Sequence, residues 1–118
     1  MLKPLLSAIL AIACLAMPAL ADDLSVGYSK GSRDAPLTII EYGSLTCGGC
    51  KYFHDRIMPR IESDYIETGK VRFIFREFPL DPVAAAAFML ARCAPQEKYF
   101  DIVDIMFEQQ RSWAFTDN

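Results

Sequence analysis

Two apolar runs on either side of an amphipathic stretch form the central pattern of the chain. Residues 37–42 and 71–78 are rich in β-branched and aromatic side chains and predict two strands. Between them, apolar residues recur at helical spacing, and Pro59 predicts a kink in that helix. The order strand, helix, strand is typical of a βαβ unit with parallel strands. Because residues 37–42 are almost entirely apolar, we also expect that strand to be covered on both faces.

The flanking segments predict a short lead-in and two further helices. Residues 22–36 are polar and contain glycine and proline, which leaves room for one short strand. Asp81 and Pro82 are typical of a helix N-cap and first helical position. Residues 83–91 are apolar on almost every side and predict a buried helix. Another helix follows Pro95, with an apolar stripe that we interpret as core packing.

The first 21 residues have the pattern of a secretory signal peptide. Lys3 precedes an apolar run, and Ala19 and Ala21 occupy the small-residue positions of a cleavage site. The run is short for a membrane-spanning helix. An uncleaved anchor, or a lipoprotein attached at Cys14, are the alternatives. Export would expose the chain to an oxidising compartment, in which thiols can form disulfides.

Length and charge narrow the class of protein. A chain of 118 residues has room for one small domain, and its 53% hydrophobic content excludes a disordered chain. The formal net charge is −3, and no cluster of lysine or arginine is present. Nucleic acid is therefore not an expected partner.

Cys47 and Cys50 form a C-x-x-C motif between the first predicted strand and its helix. The partial positive charge at a helix N-terminus favours the thiolate at Cys47, the attacking species, and the spacing lets Cys50 act as the resolving thiol. Such a redox pair needs no cofactor, because the dithiol is itself the redox group. The alternatives are a structural disulfide, or a zinc site completed by His54 and Cys93.

The segments 31–36, 40–50 and 71–80, together with Phe53 and His54, resemble the DsbA-like family of the thioredoxin superfamily. The resemblance implies an α/β, thioredoxin-like fold in which a βαβ unit precedes an inserted helical domain. Residues 22–80 would form the first part of the thioredoxin-like domain and residues 81–118 the start of the insertion. We therefore expect a C-terminally truncated member, without the family's later strands and cis-proline loop.

The resemblance also implies a function. Family members form disulfides in exported proteins of the periplasm, so the expected partners are client proteins with thiols or disulfides and a membrane reoxidant of the DsbB type. Cys47 and Cys50 would be the redox-active pair. The alternatives are a disulfide reductase or isomerase, or a non-catalytic fragment that binds a metal or a partner.

Glu41 precedes Cys47 by six residues in an otherwise apolar strand. A buried carboxylate at this position would accept or relay the proton of Cys50, as the resemblance also implies; an exposed strand-end carboxylate is the alternative. His54 would either tune Cys50 or pack on its helix. Cys93 is expected to be a small buried apolar residue.

The two residues between the cysteines depart from the family pattern. Gly48 and Gly49 stand where family members usually carry proline and histidine. The absence of that histidine removes a group that favours the thiolate. We therefore predict a couple less oxidising than DsbA, whose potential is roughly −120 mV.

Overall fold

The structure, a computed structural model, describes residues 23–115. The predicted signal peptide, residues 1–21, lies outside the described residues, as do residues 116–118. No helix within 23–115 is both long enough and apolar enough to cross a membrane.

Three strands form a mixed sheet in the order β1-β3-β2. They are β1 (Tyr28–Lys30), β2 (Leu37–Gly43) and β3 (Val71–Glu77). Strand β2 runs parallel to β3, which confirms the predicted βαβ unit, and β1 lies antiparallel on the other side of β3. The register pairs Glu41 with Phe75, so the carboxylate and the phenyl ring lie side by side on one face of the sheet.

The crossover between β2 and β3 is helical but interrupted. It contains α1 (Gly48–Arg56), α2 (Met58–Ile61) and one π-helical turn (Glu62–Ile66). The predicted kink is present, because Pro59 lies in the first turn of α2, where its missing N–H needs no helical partner. Gly69 then adopts φ +74°, a conformation that glycine tolerates at little cost, and returns the chain to the sheet.

Three helices follow β3 and form a C-terminal helical segment. They are α3 (Pro82–Arg92), α4 (Tyr99–Glu108) and α5 (Gln110–Trp113), with one 3-10 turn before α4. The predicted cap of α3 is confirmed, since the Asp81 side chain accepts a hydrogen bond from the backbone N–H of Ala84 at 2.7 Å.

The core lies between one face of the sheet and the helices. Phe73 and Phe75 project from β3 with no exposed surface, and Phe107 on α4 is equally buried. Strand alternation places Ile74 and Arg76 on the opposite face, where the lead-in covers them. Residues that complete the helix-side core are Leu45, Met58, Ile66, Val71, Ala87, Phe88, Ala91, Tyr99 and Val103.

Two burial predictions are wrong. Strand β2 is not covered on both faces: Thr38 and Tyr42, on the face opposite Glu41, are exposed, Tyr42 by 59%, and Leu37 at the start of the strand is 64% exposed. Helix α3 is not buried all round, because only the face formed by Ala84, Ala87, Phe88 and Ala91 packs into the core, and Met89 and Leu90 are exposed. Apolar composition alone did not distinguish the packed face from the open one.

We expect Phe75→Leu to lower the free energy of unfolding by about 1–2 kcal/mol, because it removes ring contacts at the centre of the core. Phe78→Leu is the matched control, since Phe78 is 57% exposed at the end of the same strand. Urea unfolding followed by circular dichroism measures both. Equal losses in the two variants would contradict a core centred on Phe75.

Candidate redox site

Cys47 and Cys50 occupy the first turn of α1, as the sequence predicts. Cys47 is the N-cap residue, and its Sγ accepts a hydrogen bond from the backbone N–H of Cys50 at 3.3 Å. The backbone N–H of Cys47 donates in turn to the carbonyl of Ser44, which closes the loop between β2 and α1. Both cysteines carry free thiols and are partly exposed.

The two thiols have opposite ionisation tendencies. Burial opposes ionisation of Cys47, but the Cys50 side chain and the backbone N–H groups of Cys50 and Gly49 outweigh it, so the pKa of Cys47 lies below its ordinary value. Burial, the hydrogen bond with Cys47 and the negative charges of Cys47 and Glu41 raise the pKa of Cys50 to about 11. Of the two thiols, Cys47 therefore ionises at the lower pH.

The glycines between the cysteines leave the surface over Cys47 open. A Cβ atom at Gly48 would meet nothing within 4 Å, and one at Gly49 would lie 3.8 Å from the Sγ of Cys47. No side chain from the two positions between the cysteines therefore contacts the Cys47 sulfur. The thiolate is stabilised mainly by backbone N–H groups and by the neighbouring thiol.

Two hydrogen bonds connect this loop to the segment that leads into α3. The hydroxyl of Thr46 donates to the Asp81 carboxylate at 2.5 Å, and the buried hydroxyl of Ser44 accepts the backbone N–H of Leu80 at 3.3 Å. Thr46 and the Ala84 N–H hold the pKa of Asp81 below its ordinary value. The same carboxylate therefore caps α3 and ties it to the loop that carries Cys47.

The end of the helical segment fastens the loop from behind. Gln110 is 2% exposed, and its Nε2 donates to the carbonyls of Leu45 at 2.8 Å and Cys47 at 3.0 Å. Lys51, on α1, donates to the carbonyl of Phe107 at 2.7 Å, at the end of α4. The Gln110 amide supplies a donor to the Leu45 carbonyl and a second donor to the Cys47 carbonyl, which also accepts the backbone N–H of Lys51.

Glu41 lies beneath α1, where it meets His54. Its Oε2 lies 3.0 Å from the Nε2 of His54, and its side chain is 14% exposed, so it is not the exposed strand-end carboxylate of the alternative. On the other side of the ring, Nδ1 lies 3.5 Å from Oδ1 of Asp104, within ion-pair distance but poorly aligned for a hydrogen bond. Burial opposes protonation of His54, but Asp104 and Glu41 outweigh it and raise the pKa of the imidazole.

Cys93 does not occupy the buried position that we expected. It is exposed at the C-cap of α3, where its Sγ donates to the carbonyl of Met89. Helical periodicity places Cys93 away from the buried face, which Ala84, Ala87, Phe88 and Ala91 form. Among the described residues, no group of three or more histidine, cysteine, aspartate or glutamate side chains is arranged to hold a metal ion.

Gln110 and Asp104 belong to the site, but the sequence analysis did not predict either of them. Gln110 stands 63 residues after the cysteine whose carbonyl it binds, and Asp104 stands 50 residues after His54. A buried amide in a short helix has no local signal. Asp104 lies opposite the apolar stripe of α4 and resembles an ordinary solvated charge.

The order of ionisation can be tested by alkylation. In a reduced Cys93→Ala variant, limiting iodoacetamide at pH 7 should label Cys47 and leave Cys50 free, because only Cys47 has a lowered pKa. Labelling of Cys50 should rise only as the pH approaches about 11. Mass spectrometry of the digest locates the label, and equal labelling at pH 7 would contradict the assignment.

Gln110→Ala should destabilise the protein by about 1–3 kcal/mol, because the buried Leu45 carbonyl loses the amide donor and the Cys47 carbonyl keeps only the backbone N–H of Lys51. Gln109→Ala is the matched control: its side chain is exposed, and a change within about 0.5 kcal/mol is expected. Chemical denaturation reports both values. A loss no larger than that of the control would show that the amide does not support the loop.

The chain is similar to known proteins over most of its length. The family pattern described as thioredoxin matches residues 25–118. A Rickettsia bellii protein named "Putative protein-disulfide oxidoreductase" is 34% identical over 88 residues, which are 74% of this chain and 34% of that protein. The chain thus spans about a third of the length of this curated relative.

Solved structures show the same likeness. Wolbachia pipientis alpha-DsbA1 superposes with a TM-score of 0.68 at 41% identity, over 84% of this chain and 48% of the other. Oxidised BdbD from Bacillus subtilis superposes with a TM-score of 0.63 at 30% identity, over 70% of this chain and 47% of the other. The chain belongs to the thioredoxin superfamily, and within it to the DsbA-like family.

Proposed function

We propose that this protein is a thiol–disulfide oxidoreductase that exchanges disulfides with client proteins through Cys47 and Cys50. The observation that carries the proposal is the asymmetry of the pair. Cys47 caps α1 with a lowered pKa, and Cys50, in the same turn, has a pKa raised to about 11. Attack and resolution need that difference, because the attacked sulfur must also leave easily as a thiolate.

In the oxidising direction, a client thiolate attacks the Cys47 sulfur of the Cys47–Cys50 disulfide. The bond between the two cysteines breaks, and a mixed disulfide joins the client to Cys47, while Cys50 takes up a proton. A second client thiolate then attacks the client sulfur of the mixed disulfide, and Cys47 departs as the thiolate. The client loses two electrons, and the protein retains them as its dithiol.

Glu41 is the proposed proton carrier for Cys50. It lies near enough for its charge to raise the pKa of both cysteines, and His54 holds it in place. When Cys50 leaves the disulfide, its high pKa requires a proton, and the Glu41 carboxylate beneath the helix relays that proton to it. In the reverse direction the carboxylate accepts that proton.

The cellular setting forms part of the same proposal. A chain exported by residues 1–21 would act in the periplasm, where its dithiol would be reoxidised by a membrane protein of the DsbB type. The C-terminal helical segment would be the start of the helical insertion of DsbA-like proteins. The likeness to alpha-DsbA1 over 84% of this chain supports the assignment of the helical segment and of the DsbA-like setting.

A reductase or isomerase is the second candidate, favoured by the glycines at positions 48 and 49. No side chain between the cysteines stabilises the thiolate, so the reduced form gains less than in an oxidase of the DsbA type. We expect a potential more negative than roughly −120 mV, in the range of roughly −180 to −270 mV that isomerase and thioredoxin span. A value near −120 mV would favour the oxidase.

Equilibration in glutathione buffers tests the proposed function. The protein should show one two-electron transition, read by alkylation and mass, that Cys47→Ser abolishes. Cys93→Ser is the matched control and should leave the midpoint unchanged, because Cys93 lies exposed at the end of α3. The absence of a transition in folded protein would contradict a working redox pair.

A further inference from the structure

His54 is the one histidine of the chain, and it is buried in an aromatic setting. Its side chain is 4% exposed. The ring stacks on Phe107 at a centroid distance of 4.2 Å and meets the edges of Phe53 and Phe75 at 5.8 Å. A neutral imidazole would pack equally well there, so the packing alone does not explain the charged groups at both ring nitrogens.

The two nitrogens face carboxylates from two different elements. Nε2 lies 3.0 Å from Glu41 on β2, and Nδ1 lies 3.5 Å from Asp104 on α4. A neutral imidazole would turn one unprotonated nitrogen toward a carboxylate, whereas the imidazolium presents an N–H and a positive charge on both sides. The arrangement therefore favours a buried cation between two anions.

The other charges around the ring favour the same state. Asp55, Glu62 and Glu108 line a cavity of about 460 Å³ that also contains His54 and Asp104. The cation that approaches from the sheet is Lys30 on β1, which is paired with Glu62 at 3.0 Å and lies 3.8 Å from Asp104. The Lys51 side chain, on α1, is paired with Asp55. The surroundings remain acidic after these pairings, which supports protonation of His54.

We propose that His54 is a positioning residue of the redox site: as a buried cation it fixes and neutralises the Glu41 carboxylate beneath the cysteines, and Asp104 holds it in that state from the helical segment. The inference rests on the proposed function only for the role of Glu41 as the proton carrier for Cys50. It adds that Asp104, on α4, acts on the cysteines through His54 and Glu41.

The electrostatic consequence follows from the sign of each charge. The negative charge of Glu41 raises the pKa of Cys47 and Cys50. Neutralisation of that charge by His54 therefore favours the Cys47 thiolate. Removal of Asp104 makes His54 easier to deprotonate, which exposes the cysteines to the full charge of Glu41 and lowers the thiolate fraction at neutral pH.

The first test follows the imidazole directly. In untagged ¹⁵N-labelled protein, the single histidine gives unambiguous nitrogen resonances that report its charge and tautomer. Asp104→Asn should move the titration of His54 to lower pH, and Glu41→Gln should do the same. Asp101→Asn is the matched control on the same helix, because Asp101 is exposed and paired with Lys98. An imidazole that is neutral at pH 6 in the unmodified protein would overturn the inference.

The second test reads the effect on Cys47. The rate of alkylation against pH should shift to higher pH in Asp104→Asn, with a rate at pH 7 about fivefold lower. The Asp101→Asn profile should match that of the unmodified protein. In Glu41→Gln, which removes the opposing charge, the profile should shift to lower pH. Loss of packing alone would move none of these profiles in opposite directions. If Asp104→Asn shifts the imidazole titration but leaves the Cys47 profile unchanged, the coupling does not exist.

His54→Gln provides a further readout, because glutamine keeps a neutral donor toward Glu41 without the charge. Its Cys47 profile should shift as in Asp104→Asn; an unchanged profile in the folded variant would count against the inference. If this variant does not fold, the two carboxylate variants still decide. These readouts need no client protein: shifted profiles in a protein that shows no glutathione transition would support the inference and contradict the proposed function. A normal transition with unshifted profiles would do the opposite.

Discussion

The contact between Phe75 and the ring system above it holds the molecule together. Phe75 projects from the central strand and meets Phe88 from α3, His54 from α1, and Tyr99 and Phe107 from α4. Burial of aromatic surface is the largest apolar contribution that a small domain can make. Because these rings come from every long helix of the described chain, the cysteine-bearing helix and the C-terminal helical segment share one core.

Much of the fold follows from the sequence because the responsible signals are local. The β-branched runs, Pro59 and the pair Asp81–Pro82 act within one turn or one strand, and the structure agrees with each. Burial was predicted less well. Leu37 and Met89 are as apolar as core residues, yet both are exposed, since burial depends on which elements pack against a given face.

The chemistry of the site divides in the same way. Cys47 and Cys50 could be found from sequence, because their spacing and the helix that they begin are local properties. The residues that hold the loop in place and the charge on the far side of His54 come from distant positions. Asp104 and Gln110 reach the site only because α4 and α5 fold back over α1, and neither residue type signals such a role. The pairing of Glu41 with His54 likewise depends on the packing of α1 over β2.

The loop before α1 is fastened at both ends to one continuous stretch of chain: Asp81 binds Thr46 at its front, and Gln110 binds the Cys47 carbonyl behind it. A reduction potential is a difference in free energy between two covalent states of one fold. If the loop changes conformation when the disulfide forms, the contacts of Asp81 and Gln110 with the loop change as well. Part of the free-energy difference then lies in helices that do not contact the sulfur atoms. By thermodynamic linkage, whatever stabilises the helical segment more in one redox state also favours that state. The stability of the helical segment would then contribute to the reduction potential of the cysteine pair.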